Sequence, residues 1–176
     1  RALGAFLSAN YKYKDKYIFM VGAKAEGTSK FSAESRWGIF PTASVAWRIS
    51  GEEFLKDVKF INDIRLRSSW GQSGNQPDGK YLYYNKYESE ANMSYINLIG
   101  VRPTGVELTS LRWETIEQTN VGFDMLLYNG RINVIFDYYV KTTHDLYLKD
   151  TEIPTTSGFS KLNINDGEMQ NRGAEI

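Results

Sequence analysis

The 176-residue chain contains no cysteine, which removes disulfides, thiolate metal sites and cysteine nucleophiles together. No apolar run approaches the ~18 residues that a spanning helix needs, so any crossing of a membrane must use strands. An excess of charge of either sign is also missing. The 21 basic residues face 21 acidic ones, and no basic block carries interleaved aromatics. That balance argues against a nucleic-acid partner. No initiating Met and no leader opens the chain, and Ile176 falls inside what reads as a strand, so both ends are read as cuts. Solenoid repeats and low-complexity tracts are absent. The Asp-Gly and Asn-Gly pairs lack the ligand spacing of an EF-hand and read as turn chemistry, and neither a metal nor a cofactor is expected.

What the chain does have is an aromatic content of 14%, including 12 Tyr, beside a mean hydropathy of -0.44. A wall with one apolar and one wet face gives that combination. Period-two alternation supports it. From Arg131 to Tyr147, the even positions Ile132, Val134, Phe136, Tyr138 and Val140 oppose Arg131, Asn133, Ile135, Asp137, Tyr139 and Lys141, with two lapses at Ile135 and Tyr139. Nine residues at ~3.3 Å rise and ~40° tilt cover ~23 Å, close to the ~25 Å apolar band of a membrane barrel. Those five even positions are therefore predicted to face lipid. The same alternation recurs at Leu3 to Tyr13, Tyr17 to Glu26, Pro41 to Ser50, Ile64 to Gly71 and Gln118 to Leu127, and a last strand begins near Gln170.

Connections alternate in length. Tight links sit at Lys14–Lys16 and Tyr128–Gly130, whereas long polar stretches run over Glu26–Arg36, Ser73–Arg112 and Lys149–Asp166. Short turns on one rim and long loops on the other are the habit of outer-membrane barrels, with the short ones periplasmic. Gly51–Ile61 interrupts the pattern and reads as a helical turn with Phe54 and Leu55 tucked inward. About seven strands result. An odd count with two open edges predicts a part of a larger sheet. The expected fold class is all-β, an antiparallel transmembrane β-barrel fragment, with residues 1–176 forming part of one barrel domain. A soluble β-sandwich carbohydrate-binding module shares the alternation, as does a passive outer-membrane porin or adhesin.

The punctuating motifs, read in order, carry a resemblance. They include Asn10-Tyr11 with Asp15-Lys16-Tyr17-Ile18, Lys24-Ala25-Glu26-Gly27-Thr28, Trp37-Gly38-Ile39-Phe40-Pro41-Thr42 and Ala46-Trp47-Arg48-Ile49-Ser50. Arg65 to Asn75, Gln118-Thr119-Asn120-Val121-Gly122-Phe123-Asp124, Thr142-Thr143-His144-Asp145-Leu146 and Asn171-Arg172-Gly173-Ala174-Glu175 follow. The ordered set, spanning nearly the whole chain, resembles the barrel of SusC/RagA-like TonB-dependent outer-membrane transporters. Lys24 and Glu26 depart from the Arg and Asp more usual in that family, and Trp70 from Tyr, with charge or aromaticity kept. The resemblance implies a plugged barrel of about 22 strands in a bacterial outer membrane, driven through TonB. It also implies a SusD-like surface lipoprotein partner and an oligosaccharide, glycan or peptide substrate. The plug and the TonB-contact segment are expected to lie outside this chain.

Candidate residues follow from the alternation. Lys24, Arg48, Arg65, Arg67, Gln118, Asn120 and Asp124 are predicted to face the lumen, where they support the plug, line the substrate path or simply pair within a wet interior. Tyr81, Tyr83, Tyr84, Tyr87 and Tyr95 crowd the longest loop, either as contacts for a ligand or partner or as that loop's own small core. Trp37, Trp47, Trp70 and Trp113 suit membrane interfaces or sheet packing. Adjacent strand residues point to opposite faces, so His144 and Asp145 are not expected to form a catalytic pair, and no enzymatic role is expected.

Overall fold

The computed structural model describes residues 1–56, 58–78, 83–95 and 98–176. Its strands are β1 (Ala2–Tyr13), β2 (Tyr17–Thr28), β3 (Trp37–Arg48), β4 (Ile61–Asn75), β5 (Tyr87–Tyr95), β6 (Leu98–Pro103), β7 (Glu114–Leu127), β8 (Ile132–His144), β9 (Tyr147–Glu152), β10 (Lys161–Asn165) and β11 (Glu168–Glu175). Seven of them form one antiparallel sheet in the order β1-β2-β3-β4-β7-β8-β11. The sheet is open, with β1 and β11 as its edges. The remaining four form two small hairpins, β5 with β6 and β9 with β10, inside segments that the alternation left as loops. The seven main strands are the seven expected; the two hairpins are additions.

Tight turns set the lower rim. Lys14 and Asp15 have φ of 51° and 55°, and Tyr128, Asn129 and Gly130 have φ of 52°, 57° and 83°. Those left-handed conformations suit the Asp and Asn-Gly chemistry that signalled the turns. The longer rim connection folds as two 3-10 turns, Ile49–Gly51 and Glu53–Leu55. Phe54 is 68% exposed there, a correction to the inward placement expected of it, whereas Leu55 is half-buried. A single 3-10 turn is too short to aim both side chains at one surface.

Register fixes the two faces, because directly paired residues share a side of the sheet. One row reads Tyr11, Phe19, Val45, Ser68, Val121, Tyr138 and Ala174. The next row, on the opposite face, reads Asn10, Met20, Ser44, Ser69, Asn120, Tyr139 and Gly173. The apolar face is open: Leu7 is 78% exposed and Val21 58%. Ile132, Val134, Phe136, Tyr138 and Val140 all fall on it, beside Leu127, Met125, Phe123, Val121 and Thr119 of β7.

The buried apolar residues lie elsewhere. Phe31, Phe40, Leu108, Leu111 and Trp113 form one cluster at the upper rim, with Tyr147 and Leu162 packed against it. It draws on the β2–β3 connection (Phe31), the upper end of β3 (Phe40), the end of the long β4–β7 segment and the hairpin after β8. Trp113 therefore sits in a loop core, neither at an interface nor in the sheet.

Candidate functional site

The polar face is where charged side chains converge. Lys24, Arg48, Arg65, Arg67, Gln118, Asn120 and Asp124 all fall on it by register, as the alternation predicted for a shared face. Arg67 of β4 lies at the centre. Its Nε donates to Asp124 Oδ1 of β7 at 3.1 Å and its Nη2 to Asp137 Oδ2 of β8 at 2.7 Å. One guanidinium thus ties three strands together with charge-assisted bonds. Gly122 stands between Arg67 and Asp137 in the same row. A Cβ at that position would come within 2.5 Å of Asp137 Oδ1 and 2.6 Å of the Phe136 carbonyl, so the missing side chain makes room for the ion pair.

A second group gathers on Asp63. Arg48 Nε donates to its Oδ1 at 2.7 Å and the Ser50 hydroxyl at 2.5 Å, while Arg65 Nη2 stands 3.7 Å from Oδ2. Arg65 Nε is buried without a hydrogen-bond partner among the described residues. Higher on the face, Lys24 Nζ pairs with Glu26 Oε1 at 2.6 Å and Gln118 Nε2 donates to Asn120 Oδ1 at 3.1 Å. The sequence reading missed Asp63, Ser50, Glu26 and Asp137 as partners. Asp137 already stood in the polar row of its strand, and Asp63 was lost because β4 begins at Ile61, earlier than the alternation suggested.

The apolar face carries its own markers. Trp37 and Trp47 lie ten residues apart on β3 and share the apolar side, paired with Gly27 and Tyr17. Ten residues of a strand tilted by ~40° span roughly 25 Å of height, the apolar band of a membrane barrel between its aromatic girdles. At the lower rim the rings of Tyr17 and Trp47 stack 6.3 Å apart. The Tyr17 hydroxyl (2.9 Å) and the Trp47 indole (3.2 Å) both donate to Glu52 Oε1, and Lys16 Nζ donates to Oε2 at 2.8 Å. These three donors, Lys16 foremost, lower the Glu52 pKa from 4.5 to about 2. On β4 the Trp70 indole donates to Glu117 at 2.9 Å.

Of the loop tyrosines, Tyr83 is half-buried with its ring tilted by 31° against that of Tyr84, 4.3 Å between centroids, and Tyr84 and Tyr87 are exposed. Tyr81 lies outside the described residues, as does the side chain of Tyr95. The core that the long loop was expected to need is built from Leu108, Leu111 and Trp113 instead. His144 Nδ1 lies 3.1 Å from Glu168, and Asp145 accepts from Arg112 Nη2 at 2.5 Å, so the two neighbours engage different partners.

An antiparallel, one-side-polar sheet with tight turns below, long loops above and tryptophans bracketing its apolar rows is a segment of a membrane-spanning β-barrel wall. The chain belongs to the TonB dependent receptor-like β-barrel family, which matches residues 1–176. It is 37% identical over 166 residues to a TonB-dependent receptor of Formosa agariphila, covering 94% of this chain and 16% of that protein. To the TonB-dependent receptor SusC of Bacteroides thetaiotaomicron it is 34% identical over 176 residues, covering 95% and 17%. The solved structure of the RagAB peptide importer in its open-open state superposes with a TM-score of 0.90 at 25% identity, covering 98% of this chain and 19% of that one. The chain thus spans about a sixth of the length of its curated relatives. The resemblance to the SusC/RagA-like barrel holds, and the family places the wall in the outer membrane. The family is one of transporters and receptors, not enzymes.

Proposed function

We propose that this chain is wall in a single barrel domain of an active importer, which takes up oligosaccharides, glycans or peptides with energy delivered through TonB. A SusD-like surface lipoprotein covers its mouth in this reading. The observation that carries it is the sorting of the sheet into one apolar face and one face of paired charges centred on Arg67. Ile132, Val134, Phe136, Tyr138 and Val140 then meet lipid. Lys24, Arg48, Arg65, Arg67, Gln118, Asn120 and Asp124 meet the lumen, where they hold the plug or line the path. Arg65 supports that assignment, since its buried Nε lacks an acceptor among the described residues and a plug carbonyl or carboxylate can supply one. Tyr83, Tyr84 and Tyr87 stand at the mouth as candidate contacts for substrate or lid.

The test is uptake by cells carrying the whole receptor, with and without a proton gradient. Uptake should stop when the gradient is dissipated, and uptake that continues overturns active import. Spin labels at Ile132, Phe136 and Val140 report the wall assignment separately. They should be relaxed by oxygen dissolved in the bilayer and shielded from aqueous nickel chelates.

A further inference from the structure

Three upper connections are fastened to one another. Lys30 Nζ donates to the Pro77 carbonyl (2.9 Å) and Trp113 Nε1 to that of Arg36 (3.4 Å). The Asn165 side chain accepts from Arg112 N and donates to the carbonyls of Arg112 and Asp145, each within 3.0 Å. The shared apolar cluster lies beneath these bonds. Segments tied this way have little freedom left to lose when something binds between them.

Between the β5–β6 and β9–β10 hairpins lies a cleft of about 480 Å³. Its size falls within the roughly 300–1,000 Å³ of small-ligand sites. Leu108 and Leu162 belong both to its lining and to the cluster below, so its floor is the packed core itself. The walls carry Lys86, Arg102 and Lys161 against the carboxylates of Glu88 and Asp150. Arg102 is engaged with Glu88 at 2.7 Å. Lys86 and Lys161 have no ion-pair partner among the described residues, and they come from different hairpins. Two ammonium groups therefore stand against one remaining carboxylate. Around them are the rings of Tyr84 and Phe159 and the polar side chains of Thr104, Ser160 and Asn163.

We propose that this cleft binds an acidic oligosaccharide, one bearing carboxylate or sulfate groups. The two lysines meet the anionic groups as compact charges. The aromatic rings pack on the apolar faces of the sugar, and the hydroxyl and amide groups bond its hydroxyls. A bound peptide strand is favoured less, because such sites use apolar pockets for alternate side chains and the walls here are mainly polar. The inference rests on the importer reading, narrowing its substrate to one chemical class.

The whole receptor in detergent is titrated calorimetrically with an oligogalacturonate, a sulfated oligosaccharide and a neutral malto-oligosaccharide of equal length. One acidic ligand should bind at least about tenfold more tightly than the neutral one, and whichever does names the anionic group. Lys86→Gln and Lys161→Gln should each weaken that binding about tenfold, as should added salt, while Lys86→Arg and Lys161→Arg retain it. Equal binding of the neutral sugar, or Gln variants with unchanged affinity and unchanged melting, overturns the proposal. So does lysine-dependent binding of an acidic peptide by a receptor that leaves the sugars unbound. Loss of the uptake requirement for a proton gradient would instead overturn the importer reading, whatever the cleft binds.

Discussion

The sheet and the loop cluster above it solve the burial problem in opposite ways. Of the five buried apolar side chains among the described residues, four come from the upper loops and only Phe40 from the sheet, although the sheet is the larger body. The wall instead leaves Leu3, Leu7, Phe19, Val21 and Ile39 open, between 44% and 78% exposed. A soluble sandwich would cover such a surface with a second sheet. In a membrane the lipid covers it, and the wall needs no core of its own. The loops stand in water and must build one. The same chain thus follows two rules of solvation, and Trp37, at the upper end of the apolar row of β3, stands near the boundary between them.

Substitutions that exchange the rules test this contrast most directly. Trp113→Ala should destabilise the loop cluster by about 3–5 kcal/mol, as for large aromatic deletions in packed cores. Hydrogen exchange should then rise in residues 28–36 and 145–167 and stay slow in β7 and β8; exchange rising equally in both would join the two regions into one unit. Ala43→Arg, midway along the apolar row of β3, should cost about 2–4 kcal/mol in liposome unfolding. Asn120→Arg on the polar face should cost far less. Equal costs would remove the distinction between the faces.

A smaller effect is expected at the polar ladder. Arg67→Met leaves Asp124 and Asp137 facing each other without their cation. With about a third of each side chain exposed, solvent screening holds the loss to about 1 kcal/mol. Asp137→Asn added to Arg67→Met should recover part of it, and full additivity in that double-mutant cycle would show that the two do not couple. The smallest effect is confined to the lower rim. Because Glu52 titrates at about 2 when folded and near 4.5 when free, its contribution is complete above about pH 4.5 and fades as pH falls toward 2. The Trp47 indole N–H resonance should shift across that window and lose the shift in Glu52→Gln.

Legibility in the sequence tracked these two rules closely. Strands of the wall showed themselves because their two faces differ in polarity, an alternation legible despite lapses such as Phe6, Ile135 and Tyr139. The Asn-Gly and Lys-Asp-Lys links showed themselves as short polar turn signals, which the structure folds with left-handed backbone. The two hairpins in the loops stayed hidden. Their strands are short or weakly patterned and lie inside polar stretches: β10 spans only Lys161–Asn165, too few residues for the alternation of Leu162 and Ile164 to stand out, and β9 (Tyr147–Glu152) carries no apolar row at all. Phe31, Leu108, Leu111 and Trp113 likewise stand singly among polar residues, without a spacing that announces a core. The tyrosines of the long loop drew attention by number, yet the burial there falls to other residues.

By itself the sequence determined the strands of the wall, their two faces, the tight turns and the family. All of these follow from local backbone preference and from a repeat that the surrounding solvent imposes on every second residue. Only the tertiary structure decided which charges meet, with Arg67 bridging Asp124 and Asp137, and which apolar residues of separate loops join Phe40 of β3 in one core. Those contacts join positions up to seventy or more residues apart, and register and loop closure, not pattern, bring them together.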